Sequence, residues 1–252
     1  ENAWVIFNKF YYVSSGVGVV SDGSNNAYVI GNLFYDIGRT YCAEVCSDGW
    51  SDNGVFANAL NGDFWVIDNT FYNYDTGVKI LPTLTSGNNV KILGNIFSSR
   101  ADSSGYEISL DDNNFTYASV DRNLFYHSSA SAFRWSNANK TYSDLVAASQ
   151  CQNCINGSDP LFTSADTRIF TLQESSPAIG ANTENPSGDS VYDKFTSVWA
   201  SLEYSGLSIK KDFAGYSRPQ GGSWDIGAYE YQSSGSAIRK LNNINAIGVR
   251  FN

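Results

Sequence analysis

The sequence predicts an all-β chain built by stacking a short repeat. Three observations predict it. A chain with 22 Gly, 16 Tyr and 15 Phe, many Asn and Ser, and only 5 Pro favours strands and turns over helices. Helical patterning is confined to short pieces. Five segments superpose without gaps on a common Asn, and a fixed internal register of this kind is the signature of a repeat architecture.

The segments are AWVIFNKFYY from Ala3, AYVIGNLFYD from Ala27, FWVIDNTFYN from Phe64, VKILGNIFSS from Val90 and ASVDRNLFYH from Ala118. The shared residues Asn8, Asn32, Asn69, Asn95 and Asn123 stand 24, 37, 26 and 28 apart. Two positions after each comes Phe10, Phe34, Phe71, Phe97 or Phe125. A further short strand then follows: GVGVV from Gly16, GVFAN from Gly54, GVKIL from Gly77, GYEISL from Gly105 and AFRWS from Ala132. Each unit therefore reads as strand, Asn turn, short strand, loop, Gly, strand. A unit this small cannot close its own core, so the units must stack. The lack of alternating helices excludes a doubly wound α/β fold, and the repeat length and signature do not suit propeller blades or leucine-rich repeats.

Period-two logic assigns the faces. Val5, Val29, Val66, Ile92 and Val120 point inward with the Phe ladder. Trp4, Tyr28 and Trp65, with Ile6, Ile30 and Ile67, then point outward as an apolar stripe. Such a stripe marks a covered surface, and three covers are open: the chain's own residues 140–232, a partner subunit, or a sugar stacked on Trp4 and Trp65. On the third strand, Val17, Val55, Val78, Tyr106, Ile108, Phe133 and Trp135 face inward, and Gly18, Phe56, Lys79, Glu107 and Arg134 form the outward row.

A coil of mostly 24 to 28 residues with an Asn at one corner resembles the right-handed parallel β-helix of secreted pectate lyases, alginate lyases and related bacterial surface proteins. The resemblance covers residues 3–136. DPLF at Asp159, SPAIGA at Ser176 and RPQGGSWDIGAYEY from Arg218 look like the closing segment of many extracellular β-helix proteins. The resemblance implies a single right-handed parallel β-helix, a solenoid, over residues 1–139, a C-terminal coil and capping region over 140–232, and an extracellular or cell-surface location. It also implies an Asn ladder at a tight corner, where Asn takes the left-handed conformation and its side chain bonds to the next coil. It identifies architecture rather than chemistry.

The outward row carries the candidate chemistry. Elimination on an acidic polysaccharide needs a base for the sugar C5 proton and a cation to neutralise the carboxylate, and Lys79, Glu107 and Arg134 supply those residue types. The alternative is an ion-pair ladder on a solvated sheet. A glycosidase reading pairs Glu107 with Asp111, but strand neighbours four apart lie beyond the separation two catalytic carboxylates need. DDNN at Asp111 and SDGWSDNG from Ser47 offer oxygen ligands for Ca²⁺, the one cofactor admitted, although as turns they need no ion. His127 has no Ser or Cys partner that would make a triad. NFT at Asn114, NKT at Asn139 and NGS at Asn156 match the glycosylation acceptor pattern.

Cys42 with Cys46 and Cys151 with Cys154 form two local pairs. They read as short disulfide loops of an oxidising compartment, with a tetrathiolate metal site or free thiols as alternatives. A net charge of -9 and a pI near 4.5 exclude a nucleic-acid partner, because no basic stripe neutralises phosphates. No run approaches the roughly 20 apolar residues of a spanning helix. The chain contains no Met, as expected of a processed or partial product. Its N-terminal repeat has no cap before it, and an open end of this kind is a template for association, to be covered either by upstream coils missing from the sequence or by another molecule. The tail, residues 233–252, ends with Ile247, Val249 and Phe251 on one face, a strand able either to join a neighbour's sheet or to pack on its own domain. The expectation is a non-enzymatic structural or adhesive protein that assembles head to tail into a homo-oligomer or filament, with polysaccharide binding or lyase activity through Lys79, Glu107 and Arg134 as the alternative.

Overall fold

A computed structural model of the chain describes residues 2–19, 26–38, 52–58, 60, 62–81, 84–99, 105–110, 115–127, 132–182 and 210–233. Each repeat contributes one strand to each of three parallel sheets. The first sheet is β1 (Asn2–Ile6), β4 (Asn26–Ile30), β7 (Asp63–Ile67), β10 (Asn89–Leu93) and β13 (Ala118–Asp121), in that order. The second runs β2 (Lys9–Val13), β5 (Leu33–Ile37), β8 (Thr70–Tyr74), β11 (Ile96–Ser98), β14 (Leu124–Tyr126) and β17 (Ile155–Asn156). The third runs β3 (Val17–Val19), β6 (Asn53–Ala57), β9 (Thr76–Ile80), β12 (Ile108–Leu110), β15 (Phe133–Trp135) and β16 (Ala138–Lys140).

The corner between the first two sheets explains the invariant Asn. In each repeat the residue before it has a positive φ: Phe7 at 55°, Gly31 at 65°, Asp68 at 56°, Gly94 at 66° and Arg122 at 54°. The left-handed residue is therefore not the Asn but its predecessor, which turns the chain and leaves the Asn amide pointing into the corner. There the backbone N–H of Asn8, Asn32, Asn69 and Asn95 donates to the side-chain oxygen of the next Asn at 2.8 to 2.9 Å. From Asn32 onward each amide nitrogen also donates to a strand carbonyl of the previous repeat. A buried corner would otherwise leave these backbone groups unsatisfied.

The three sheets share one core, in which Val5, Val29, Val66, Ile92 and Val120 meet Val17, Val55, Val78, Ile108 and Phe133. Phe10, Phe34, Phe71, Phe97 and Phe125 stack through it with centroids 4.9, 4.7, 4.8 and 5.3 Å apart. That is close to the spacing of neighbouring strands, so a ring at the same position in every repeat stacks on its copy. Each fully buried Phe contributes roughly 1.5–3 kcal/mol.

Beyond the fifth repeat the described strands of the second and third sheets shorten to β17 and β16. Ser136 and Asn137, with φ of 52° and 56°, form a tight turn of the kind two left-handed residues allow, and β16 folds back antiparallel on β15. Helix α1 (Tyr142–Ala147) follows, capped by reciprocal hydrogen bonds between Thr141 and Asp144, and buries Leu145. Cys151 and Cys154 form a disulfide; Cys42 and Cys46 lie outside the described residues. The edge of β13 is taken up by the Gln150 side chain, which accepts from Val120 N at 2.8 Å, and by Cys151 N, which donates to Val120 O at 2.7 Å.

The remaining C-terminal chain lies on the outside of the first two sheets. The antiparallel pair β18 (Phe162–Ser164) and β19 (Ile169–Leu172) packs with Ala178, Ile226 and Ala228 over Leu33, Tyr35, Ile96 and Leu124. The WDIGA segment straddles the Asn corner, with Trp224 over the first sheet and Ile226 and Ala228 over the second. Gly227 N donates to Gly94 O at 2.7 Å and Ala228 N to Thr70 Oγ1 at 3.0 Å. At Gly227, φ is 95° and an added Cβ would lie 2.6 Å from Ile96, so only glycine permits this approach.

Candidate functional site

The outward row of the third sheet is the first candidate, and its register departs from the sequence reading. Lys79 and Arg134 both pair with Ser109. Glu107 occupies the place of Gly77: Val78 N donates to Glu107 O, and Glu107 N donates to Ala132 O. Repeat four reaches the third sheet two residues later than its Gly105 suggests, so aligning on glycine displaced the acid. Glu107 is fully buried and accepts from the Tyr74 hydroxyl, and burial pushes its carboxyl well above the usual range. The assignment of Glu107 to a catalytic face is corrected accordingly.

What is left on that face is a row of Lys79, Ser109 and Arg134. The two cationic side chains are half-buried and stand two strand spacings apart, roughly 10 Å. Arg134 Nη2 donates to Asn137 Oδ1 at 3.1 Å. Beside them the Lys140 ammonium sits 5.4 Å from the Trp135 ring centre, and the Tyr106 hydroxyl donates to Asn139 Oδ1 at 2.7 Å. Tyr106, expected inside, is half-buried. Such a row can hold an anion, but within it no carboxylate is placed to remove a proton. Among the described residues no group of three or more His, Cys, Asp and Glu is gathered as a metal would require. Asp111 and Asn114 lie outside the described residues, as does most of the SDGWSDNG turn; Asn139 and Asn156 are exposed, and His127 is half-buried.

The apolar stripe on the first sheet is covered by the chain itself. Tyr28, Ile30, Trp65 and Ile67 are buried in one cluster with Leu93 and Trp224, with Trp4 and Ile6 half-buried at its end. Trp4 stacks on Tyr28 at 4.1 Å, Trp65 Nε1 donates to Asn89 O, and the Lys91 ammonium lies 4.9 Å from the Trp65 ring centre. As an interface with sugar or a partner, the buried members are ruled out: they are core. The second sheet carries an equivalent outward stripe, Leu33, Tyr35, Ile96 and Leu124, covered in the same way. The sequence reading missed it, although its period-two alternation was visible.

A buried charge cluster holds the cover down. Arg218 Nη1 lies 2.9 Å from Glu230 Oε1 and donates to Asp225 O, while Nη2 donates to Gly227 O. Asp225 accepts from Gly180 N and Tyr231 N, and Asp212 from Tyr216 N and Glu230 N. Asp68 of the corner accepts from Asn182 Nδ2 at 2.7 Å. Burial pushes Asp68 up to about 7, and Asp212 and Asp225 up to about 6, with Arg218 pulling the other way. Farther along, Arg168 grips buried Asp36 through two hydrogen bonds of 2.7 and 2.8 Å. Arg218, Asp225 and Glu230, from the closing motif, hold the covering segment in place, and Arg218 and Glu230 have no opening to solvent.

The remaining candidate is the outer edge of the first repeat. Among the described strands, β1, β2 and β3 are the last of their sheets on this side. Along β2, Tyr11, Tyr12 and Val13 are 49%, 59% and 37% exposed. They are three of the five large apolar side chains exposed among the described residues, and they are consecutive. Tyr11 stacks on Tyr35 at 5.3 Å and meets Tyr12 edge-on at 5.7 Å. Ile247, Val249 and Phe251 lie outside the described residues.

The chain is an all-β protein of stacked parallel sheets with one disulfide among its described residues, and no described helix is long and apolar enough to cross a membrane. Neither a scan of protein-family models nor comparison with curated proteins or solved structures gives a match.

Proposed function

We propose that the protein is a non-enzymatic, extracellular structural or adhesive protein that assembles through the exposed Tyr11–Val13 face of β2. The three sheets are read as the walls of a single right-handed parallel β-helix, a reading supported by the one-strand-per-sheet repeat, the Asn ladder and the Phe stack. An extracellular setting is supported by the Cys151–Cys154 disulfide, since such bonds persist in oxidising compartments.

The observation that carries the function is the run of consecutive exposed large side chains, Tyr11, Tyr12 and Val13, along β2. Exposed apolar side chains grouped on a sheet mark an interaction surface more often than a solvated one. Light scattering of the 252-residue chain across a wide concentration range tests the reading: mass should rise with concentration, and a monomer throughout would contradict it.

A second reading, a lyase on acidic polysaccharide, is favoured by one observation, the Lys79–Ser109–Arg134 row. With Glu107 inside, that row suits holding an anionic sugar rather than cleaving it. Appearance of ultraviolet absorbance from unsaturated uronate on incubation with alginate or pectate would reinstate the enzyme.

A further inference from the structure

We propose that Asn156 is a site of N-linked glycosylation, and that of the two described acceptor sequences it carries the glycan while Asn139 does not. This rests on the extracellular setting proposed above, since the Asn-x-Ser/Thr acceptor is used in secreted chains. Two groups of the acceptor take part: the Asn amide nitrogen, which becomes the link, and the hydroxyl two residues on, which the transferring enzyme reads. The two sequences differ at both.

Asn139 lies in β16, paired with Arg134 of β15, and its Oδ1 accepts from the Tyr106 hydroxyl at 2.7 Å. The hydroxyl of that sequence belongs to Thr141, the N-cap of α1. Its Oγ1 donates to Asp144 Oδ2 at 2.9 Å and accepts from Asp144 N at 3.2 Å. Presenting this sequence to an enzyme would open a hairpin and uncap a helix together. At the other sequence, Asn156 is exposed and Ser158 half-buried, and neither side chain makes a hydrogen bond among the described residues. Both groups are available there.

Position gives the glycan room. The register of β17 pairs Asn156 with Phe125, so Asn takes at the sixth rung the place that Phe holds in the five repeats. Among the described strands β17 is the last of the second sheet. The chain leaves the sheet at Gly157, where φ is 78° and an added Cβ would meet nothing within 4 Å. Gly157 N donates to Phe125 O at 2.8 Å, and Cys154, two residues before Asn156, is held in the disulfide. The acceptor is thus an anchored surface turn, the setting in which a bulky, hydrophilic group is tolerated.

The donor is an oligosaccharide carried on a lipid pyrophosphate. Asn156 Nδ2 attacks the anomeric carbon and forms the new C–N bond. The bond from that carbon to the pyrophosphate oxygen breaks, the lipid pyrophosphate leaves with the electron pair, and the amide gives up one proton to a base of the transferring enzyme.

Expression of the 252-residue chain behind a secretory signal, in cells that hold the transferase, tests this. Intact glycopeptides are mapped by mass spectrometry on the cell-associated and the secreted protein alike. The peptide holding Asn156 should carry a glycan and the peptide holding Asn139 should not. Asn156→Gln and, separately, Ser158→Ala should abolish that glycan, and Asn139→Gln should leave it unchanged. A bare Asn156, or Asn139 occupied to the same extent, would overturn the proposal. If Cys151 and Cys154 then still resist alkylation, the extracellular reading stands; if both thiols react, it falls as well.

Discussion

Asn69 accepts both N–H groups of Asn32 on one side-chain oxygen, the backbone N–H at 2.8 Å and the amide at 3.0 Å, although the two residues are 37 apart in sequence. Its own amide donates to Val29 O, Ile67 O and Asn95 Oδ1. Truncation at this site strands donors and acceptors on both neighbouring repeats. Leaving a buried polar group unsatisfied costs about 1–3 kcal/mol, so Asn69→Ala should destabilise by ~3 kcal/mol or more. Asn8→Ala, at the part-buried end of the ladder, should cost ~1 kcal/mol. Urea unfolding of the two variants gives the comparison.

Glu107 takes a place that three other repeats fill with Gly16, Gly54 and Gly77, and burial pushes its carboxyl well above the ordinary range, disfavouring the charged form. A neutral amide of the same shape should therefore be tolerated at neutral pH. Glu107→Gln is expected to lie within ~1 kcal/mol of the parent at pH 7, the range for a shape-conserving change that keeps a partner. Because the folded pKa is raised, the stability contributed by Glu107 is full below its ordinary value of 4.5 and is lost as pH rises through the folded one. The variant lacks that loss and should gain on the parent in alkaline buffer. Chemical denaturation at pH 5 and at pH 9 measures it.

The carboxyls under the cover act in the same sense. Asp68, Asp212 and Asp225 are raised from 3.8 to about 7, 6 and 6. Their folded state holds more protons than the unfolded one between those values, so stability falls as pH climbs from about 4 to 7 and then levels. The melting temperature should be higher at pH 5 than at pH 8. Asn replacing Asp68 should flatten this slope, which calorimetry across the range would show.

The two arginines of the C-terminal region should differ in weight. Arg218 and Glu230 are both fully buried, whereas Arg168 is about a third exposed and only its partner Asp36 is buried. Removing one member of a buried pair typically costs 3–5 kcal/mol, so Arg218→Ala should approach about 3–5 kcal/mol. Arg168→Ala should cost less, on the order of 1–2 kcal/mol, since solvent screens it and Asn73 still donates to Asp36. Tryptophan fluorescence should shift red for Arg218→Ala, because Trp224 lies 5.3 Å beneath its guanidinium.

Much of the three-sheet arrangement was legible because the same residue must recur wherever one strand stacks on another. Asn69 has to meet Asn95, and Phe71 has to meet Phe97, so register was written into the sequence. The third sheet was less legible. Its glycines mark a tight approach to the Phe stack, as an added Cβ on Gly54 would lie 2.7 Å from Phe71, but repeat four fills that place with Glu107 and carries Gly105 two residues earlier. The cover over Trp65 and Ile67 was foreseeable as a need, not as a set of contacts. Pairing of Trp224, Asn182 and Gly227 with residues at the corner more than 100 positions away leaves no local signal.

The central claim is that the protein assembles through β2, where Tyr11, Tyr12 and Val13 are exposed. Amide hydrogen exchange measured on concentrated and on dilute protein tests it most directly. Protection at Phe10 through Val13 should rise with concentration, while protection at the far end, around Cys151 and Ile155, stays constant. Equal exchange along β2 at both concentrations would contradict the account.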